Sequence, residues 1–353
     1  MIADVAVIGA GIAGAIAAFR LAKNGMVPLW VGPHQNESFK PGEHLSPAAL
    51  PMLHDLGMSE ILNAAVHRRA HSTYSAWGSD ILMDRNAILH LEGPPVVLDR
   101  VAFEAALTQR AIAAGADHID ASVQSVSVHE DVWHLQTVNG SHRARFVLDA
   151  TGRKAIIASK LSTRFQADKL SCLYAVFQPQ DVENAKPVTL IETDPHGWWY
   201  LSKLSNGQVV VNFYTDADLA PWPADHFVTK AQSSNVVGAY LSDFGCTLSS
   251  DVKRVTTNTS WIAPAIGPGW AAIGDASAAF DPLSSHGITT AIWTATQAAD
   301  AFLARDKAAM TAYSDAVAKG VQDFLAARER VYALEQRWPD SAFWKRRHLP
   351  ATG

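Results

Sequence analysis

Only two of the 353 residues are cysteines, Cys172 and Cys246. Two distant thiols supply neither a disulfide framework nor the paired spacing of a zinc site, so both are expected to be buried thiols, and no metal site is expected. No stretch approaches the roughly 20 uninterrupted apolar residues of a membrane span. The apolar run at residues 5–18 is preceded by Asp4 where a signal peptide has its basic region, and glycines punctuate it. A cytoplasmic location is therefore expected, with no membrane partner. Long runs of one charge are also missing and the net charge is −5, so nothing marks a polyphosphate partner, and nucleic acid is not expected. What remains is a chain with 48% apolar residues, enough for a real core, and no internal repeat or low-complexity linker.

The first informative segment is Val5-Ala6-Val7-Ile8, a β-branched run that reads as a buried parallel strand. It leads into Gly9-Ala10-Gly11-Ile12-Ala13-Gly14 and an alanine-rich helix to Lys23. In this strand, turn and helix, Gly9 permits the sharp turn, Gly11 clears the approach of a pyrophosphate, and Gly14 allows close packing of helix on strand. The free N–H groups at the start of the helix, around Ile12 and Ala13, face the phosphates. The acid expected about 20 residues later is absent, because Leu29-Trp30-Val31-Gly32-Pro33 stands there. His34, Gln35 or Glu37 could substitute as the partner of an adenosine ribose, or serve only as loop residues.

Two later segments repeat the design of a strand ending in small residues. Phe146-Val147-Leu148-Asp149-Ala150-Thr151-Gly152 is one, and Ala271-Ala272-Ile273-Gly274-Asp275-Ala276 the other. The second runs on through Pro282-Leu283-Ser284-Ser285-His286-Gly287-Ile288 into a helix. Asp275 can accept hydrogen bonds from ribityl hydroxyls, and a helix beginning near Gly287 offers its N-terminal dipole to the pyrimidine edge of a reduced, anionic flavin.

With these segments in order, the chain resembles the FAD-dependent hydroxylase and tryptophan-halogenase branch of the glutathione-reductase-like flavoproteins, over essentially its whole length. The resemblance implies FAD as cofactor and an α/β fold. In that fold a Rossmann-like FAD-binding domain, a parallel sheet with helices, is interleaved with an antiparallel β-sheet substrate domain and followed by C-terminal helices. The expected division is 1–70 with 95–158 and 266–305 for FAD, 71–94 with 159–265 for substrate, and 306–353 for the helices. Pro41-Gly42-Glu43 resembles a cofactor-touching loop, and Arg100 in Leu98-Asp99-Arg100 resembles an arginine near the cofactor; a surface acid and a helix-capping or ion-paired arginine are the plainer readings. The expected cofactor contacts are thus Gly9, Gly11, Ile12, Ala13, Gly14, Glu43, Arg100, Asp149, Gly152, Gly274, Asp275, Pro282, Gly287 and Ile288.

Details point away from halogenation. Gly197-Trp198-Trp199-Tyr200 begins like the halogenase signature, but Leu201-Ser202-Lys203-Leu204 does not complete it. Residues 66–77 offer Arg68, Arg69 and His71 and no lysine, and a guanidinium is too weak a base to carry active halogen. Ser75-Ala76-Trp77-Gly78-Ser79, the Pro282–Gly287 stretch and Arg337-Trp338-Pro339-Asp340-Ser341-Ala342-Phe343-Trp344 are similar to the LodB/GoxB-type maturases of tryptophylquinone-dependent oxidases. That resemblance implies an FAD-dependent monooxygenase, using dioxygen and an unassigned reductant, that hydroxylates a tryptophan of a precursor amino-acid oxidase during CTQ or LTQ formation. Hydroxylation or halogenation of a small aromatic molecule, and a docking chaperone with structural FAD, are the alternatives.

Between residues 159 and 265, alternating runs such as Val209-Val210-Val211-Asn212-Phe213-Tyr214, joined by Ser205-Asn206-Gly207-Gln208, read as an antiparallel substrate-side sheet. Trp198, Trp199 and Tyr200 are expected to wall an aromatic pocket, or else to pack on the sheet face. His286 is the expected proton-handling group, with Ser285 beside it; capping of the helix by Ser284 and Ser285 is the plainer reading of the two serines. Met310, Tyr313, Val317, Val321, Phe324 and Leu325 form the inward stripe of a later helix. Trp338, Phe343 and Trp344 beside Lys345-Arg346-Arg347-His348 read either as a docking patch or as tail packing.

Overall fold

The computed structural model describes residues 2–34, 39–70, 73–84, 94–219 and 223–348. A parallel core runs Trp270–Ala272, Gly140–Asp149, Ala3–Ile8, Leu29–Val31 and Asp117–Ile119 in spatial order. Its first strand is central and buried on both faces, which is why Val5, Ala6, Val7 and Ile8 form an unbroken apolar run. The antiparallel strands Val123–His129 and Val132–Thr137 extend from Gly140–Asp149. Helices Ile12–Lys23, Arg100–Ala113 and Gly287–Leu303 pack together over one face, where small residues such as Ala15, Ala298 and Ala299 allow close approach.

A second large sheet contains Leu170–Gln178, Val209–Asp216, Gly197–Lys203 and Thr189–Asp194 as an antiparallel series. Thr73–Ala76 joins it in parallel to Thr189–Asp194, so this sheet is not wholly antiparallel. One face packs on helices Ala224–Ser233 and Val236–Asp243, with Glu192 accepting the backbone N–H groups of Asn235, Val236 and Val237 at the start of the second helix. The opposite face turns toward the parallel-sheet body. Residues 163–166 pair with 260–263, which in turn pair with 278–279, in a small separate three-stranded sheet.

The long helix Lys307–Tyr332 presents Tyr313, Val317 and Val321 inward, with Phe324 stacked on Phe280 at a ring separation of 4.3 Å. The following tail packs on the fold. Phe343 and Trp344 are fully buried beside Trp77, Trp198 and Tyr332, while Arg347 reaches Asp216 at 2.7 Å. Apolar burial at about 25 cal/mol per Å² makes these rings anchors rather than a free docking patch.

Candidate active site

A cavity of about 430 Å³ lies between the parallel-sheet body and the second sheet. Gly11, Ile12, Ala13, Gly152 and Asp275 line it from the first region; Trp198, Tyr200, Asn212 and Tyr214 line it from the second. The lining comes from the three glycine-turn segments, so residues more than 260 positions apart in sequence meet at the C-terminal edge of the parallel strands.

The glycine loop is fixed from within. A Cβ on Gly14 would stand 1.9 Å from the Gly9 carbonyl oxygen, whereas one on Gly11 would meet nothing within 4 Å. Gly9 and Gly14 therefore shape the turn, and Gly11 faces the open cavity. Trp30 Nε1 donates to the Gly9 oxygen at 2.9 Å, so the tryptophan in place of a more ordinary second-strand residue braces this turn. His34 sits at the end of that strand and its N–H donates to Asp120 Oδ1 at 2.7 Å; Gln35 and Glu37 lie outside the described residues. Asp120, at the end of the neighbouring parallel strand, is thus the acid that stands at this edge.

Glu43 is buried and lines the cavity, its Oε1 accepting from the Tyr200 hydroxyl at 2.6 Å and its Oε2 from the Gly42 N–H. Burial, followed by the Glu43 charge, pushes the Tyr200 phenol well above its usual range and keeps it a donor. Arg100 also lines the cavity and donates to the Gly42 carbonyl at 2.8 Å and to Glu104, joining the loop to its helix. Asp275 faces the cavity with Arg153 at 3.7 Å; burial raises its pKa while Arg153 and Arg100 oppose that. Pro282, Ser285, Gly287 and Ile288 complete this side. Gly274 is one step behind, its N–H donating to Thr294.

Three expectations are corrected. Asp149 is fully buried outside the cavity lining, and its carboxylate accepts from Thr151 N–H, Thr151 O–H, Ile157 N–H and Ala158 N–H; it holds the small-residue turn and has no free edge for a cofactor. Trp199 points to the far face of the sheet, against Phe213 and Phe227, because side chains alternate along a strand. His286 is exposed and outside the lining, and the Ser284 and Ser285 side chains do not cap the helix Gly287–Leu303.

Several lining residues escaped the sequence reading. Tyr214 stacks on Trp198 with ring centroids 3.9 Å apart, a pairing set by their cross-strand register. Lys40 lines the cavity and lies 3.3 Å from Glu104. Asp281 accepts from Tyr332 O–H at 2.8 Å, from Arg328 at 3.1 Å and from the Leu283 N–H, which ties the Pro282 turn to the long helix. Alternation along 209–216 could have revealed Asn212 and Tyr214; nothing local in sequence marks Lys40 or Arg328.

A strand and glycine turn, a late acid and an aromatic wall around one cavity are the parts of a flavin-dependent oxidoreductase. The tryptophan halogenase family matches residues 95–351. The chain belongs to that family. It is 27% identical over 98% of its length to the putative FAD-dependent oxidoreductase LodB of Marinomonas mediterranea, covering 96% of that protein. Among solved structures, the chondrochloren halogenase CndH aligns over 99% of this chain and 87% of its own, with 19% identity and a TM-score of 0.88. The peptidyl tryptophan dihydroxylase QhpG, essential for tryptophylquinone cofactor biogenesis, aligns over 100% and 80%, with 23% identity and a TM-score of 0.82. As in the rest of this halogenase-like family, the cofactor is FAD, and the chain is an FAD-dependent oxidoreductase of the halogenase-like fold. No helix among the described residues is long and apolar enough to cross a membrane.

Proposed function

We propose that this chain hydroxylates a tryptophan residue of a precursor amino-acid oxidase, as a step in forming a tryptophylquinone cofactor. The observation that carries the reading is the wall of Trp198, Tyr200 and Tyr214, which faces the same cavity as the glycine loop. An aromatic side chain entering there is packed by rings. The fold shared with the peptidyl tryptophan dihydroxylase QhpG supports a peptide substrate, as does the exposed apolar tip Ile81-Leu82-Met83, a surface suited to a protein substrate.

Bound FAD, once reduced, supplies the activation of dioxygen. Around it, the backbone N–H groups of Ile12 and Ala13 bind phosphate at the helix start, Gly11 leaves the approach clear, and Asp275 accepts from ribityl hydroxyls. The N-terminus of helix Gly287–Leu303 favours negative charge at the Pro282 side of the cavity. One oxygen atom replaces a ring hydrogen as hydroxyl, the other leaves as water, and two electrons come from an external reductant. Glu43 Oε1, oriented by Tyr200, takes up the proton lost from the ring carbon.

The test is to mix holoenzyme with a tryptophan-containing oxidase precursor, reductant and oxygen, and to follow intact mass and quinone absorbance. A mass gain of whole oxygen atoms that requires flavin reduction supports the reading. Unchanged precursor with turnover of free aromatic compounds overturns it. Rapid flavin reoxidation coupled to product also excludes a docking chaperone. Lys40 in the cavity wall favours a second reading, halogenation of a small aromatic, in which its ammonium carries the halogen; addition of bromide to the same mixture would then give brominated product.

A further inference from the structure

The aromatic wall contains one polar group left without a counterpart. Asn212 is 1% exposed and lines the cavity between Tyr200, its cross-strand neighbour, and Tyr214. Its Nδ2 donates to the Tyr214 hydroxyl at 3.3 Å, but its Oδ1 has no hydrogen-bond partner among the described residues. A buried carbonyl without a donor costs free energy in a folded protein, and functional sites are where such groups persist. The other acceptor on this wall, Glu43, is held by Tyr200 and by the Gly42 N–H and is the proton acceptor of the proposed reaction. The chamber thus offers rings for packing and, between the two tyrosines, an unengaged acceptor; Thr257 Oγ1, also unpartnered in the lining, lies across the strand Leu170–Gln178 from these rings.

We propose that Asn212 Oδ1 is the specificity determinant for an indole, accepting the ring N–H of the substrate. An indole has one donor and no acceptor in its ring plane, which matches a wall of three aromatic rings with an unengaged acceptor set between two of them. Benzoates and aryl ethers would bring only lone pairs to the same atom. The contact also favours reaction: as the indole ring carbon is attacked, positive charge grows at the ring nitrogen, its N–H becomes a stronger donor, and an oriented carbonyl binds it more tightly than in the ground state. The inference deepens the tryptophan reading and rests on it for the substrate class.

The test uses the oxidised holoenzyme and the perturbation of its visible flavin spectrum on titration with two probes. 3-Methylindole and 3-methylbenzofuran have the same shape, but the second replaces the N–H by an ether oxygen. The indole is expected to bind at least about tenfold more tightly, the size expected when a buried acceptor gains or lacks its donor. In Asn212→Leu the ratio should fall below about twofold with flavin content unchanged. If that variant does not fold, Asn212→Asp keeps an acceptor and must keep the indole preference. Equal binding in the wild type, binding of neither probe, a ratio that survives Asn212→Leu, or loss of FAD from a folded Asn212→Leu each overturns the proposal; the last would show that the amide holds the cofactor. Precursor oxidation without probe discrimination refutes the role of Asn212 alone. Discrimination without precursor oxidation keeps Asn212 and moves the function to a free indole.

Discussion

Replacing Arg328 by methionine would leave two buried carboxylates without their shared cation. Arg328 lies 3.1 Å from Asp281 and 3.0 Å from Asp168, and its side chain is 13% exposed against 0% and 9% for the acids. Removing one partner of a buried ion pair costs about 3–5 kcal/mol, because the remaining charge stays desolvated. With an unfolding entropy near 2.1 cal/mol/K per residue, a chain of 353 residues loses roughly 1.4 °C of Tm for each kcal/mol, so the midpoint should drop by about 4–7 °C. The pH dependence carries the mechanism. Burial already raises the Asp168 pKa, with Arg328 pulling against it, and without Arg328 the pair can reduce its penalty only by taking up a proton. The folded variant then binds more protons than the unfolded chain, so its deficit should be larger at pH 8 than at pH 5. Thermal unfolding followed by near-ultraviolet circular dichroism, with the released flavin measured in parallel, reads both quantities. Arg328→Lys should fall between wild type and Arg328→Met, since it keeps the charge and loses the fork. A loss under about 1 °C, or a loss independent of pH, would refute the account.

Four other substitutions separate shape, charge and cofactor binding. Gly14→Ala should destabilise the fold by about 1–3 kcal/mol, because its Cβ meets a backbone oxygen at 1.9 Å, while Gly11→Ala should leave chemical unfolding unchanged and lower FAD content. Glu335 is held down to about 2: burial acts to raise it, and hydrogen bonds from Arg337, Thr193 and Gly78 outweigh that. Its stabilising contribution is therefore complete above the ordinary value near 4.3 and lost as pH falls toward about 2, so the gap in urea midpoints between wild type and Glu335→Gln should close on acidification. Asp120→Ala should weaken FAD binding to the apoprotein about tenfold, corresponding to about 1.4 kcal/mol, if this acid serves the adenosine ribose; an unchanged Kd in a fluorescence titration would remove it from the site.

Much of the fold was legible because local rules and global packing agree. The run Val5-Ala6-Val7-Ile8 and the glycines after it specify strand, turn and helix by themselves, and the helix does begin at Ile12. What escaped was decided by partners distant in sequence. Trp199 cannot be assigned to a face from its neighbours, since Trp198-Trp199-Tyr200 is aromatic at every position; only the register against Phe213 and the helix carrying Phe227 places it outside the cavity. Asp149 looked like a ligand-binding acid because it ends a strand before a small-residue turn, yet the turn folds back and its own N–H groups use the carboxylate. His286 is exposed directly after a left-handed Ser285, φ +53°, a backbone state that no residue pattern indicates. No spacing along the chain points to an acid after the second strand, because the sheet brings Asp120 to that edge from an adjacent strand.

The clasp of Asp168, Asp281, Arg328 and Tyr332 has a consequence for the order of synthesis. A chain leaving the ribosome makes the glycine loop and both sheets before residue 328 emerges, and domains begin to fold as they appear. Until then the Pro282 turn lacks two of the three hydrogen-bond donors that hold Asp281, and the chamber lacks the ring of Tyr332 behind Trp198. The growing chain can therefore assemble its glycine loop early while its aromatic-walled chamber stays unformed, so that competence for redox chemistry arrives late, after the surrounding sheets are in place to contain it.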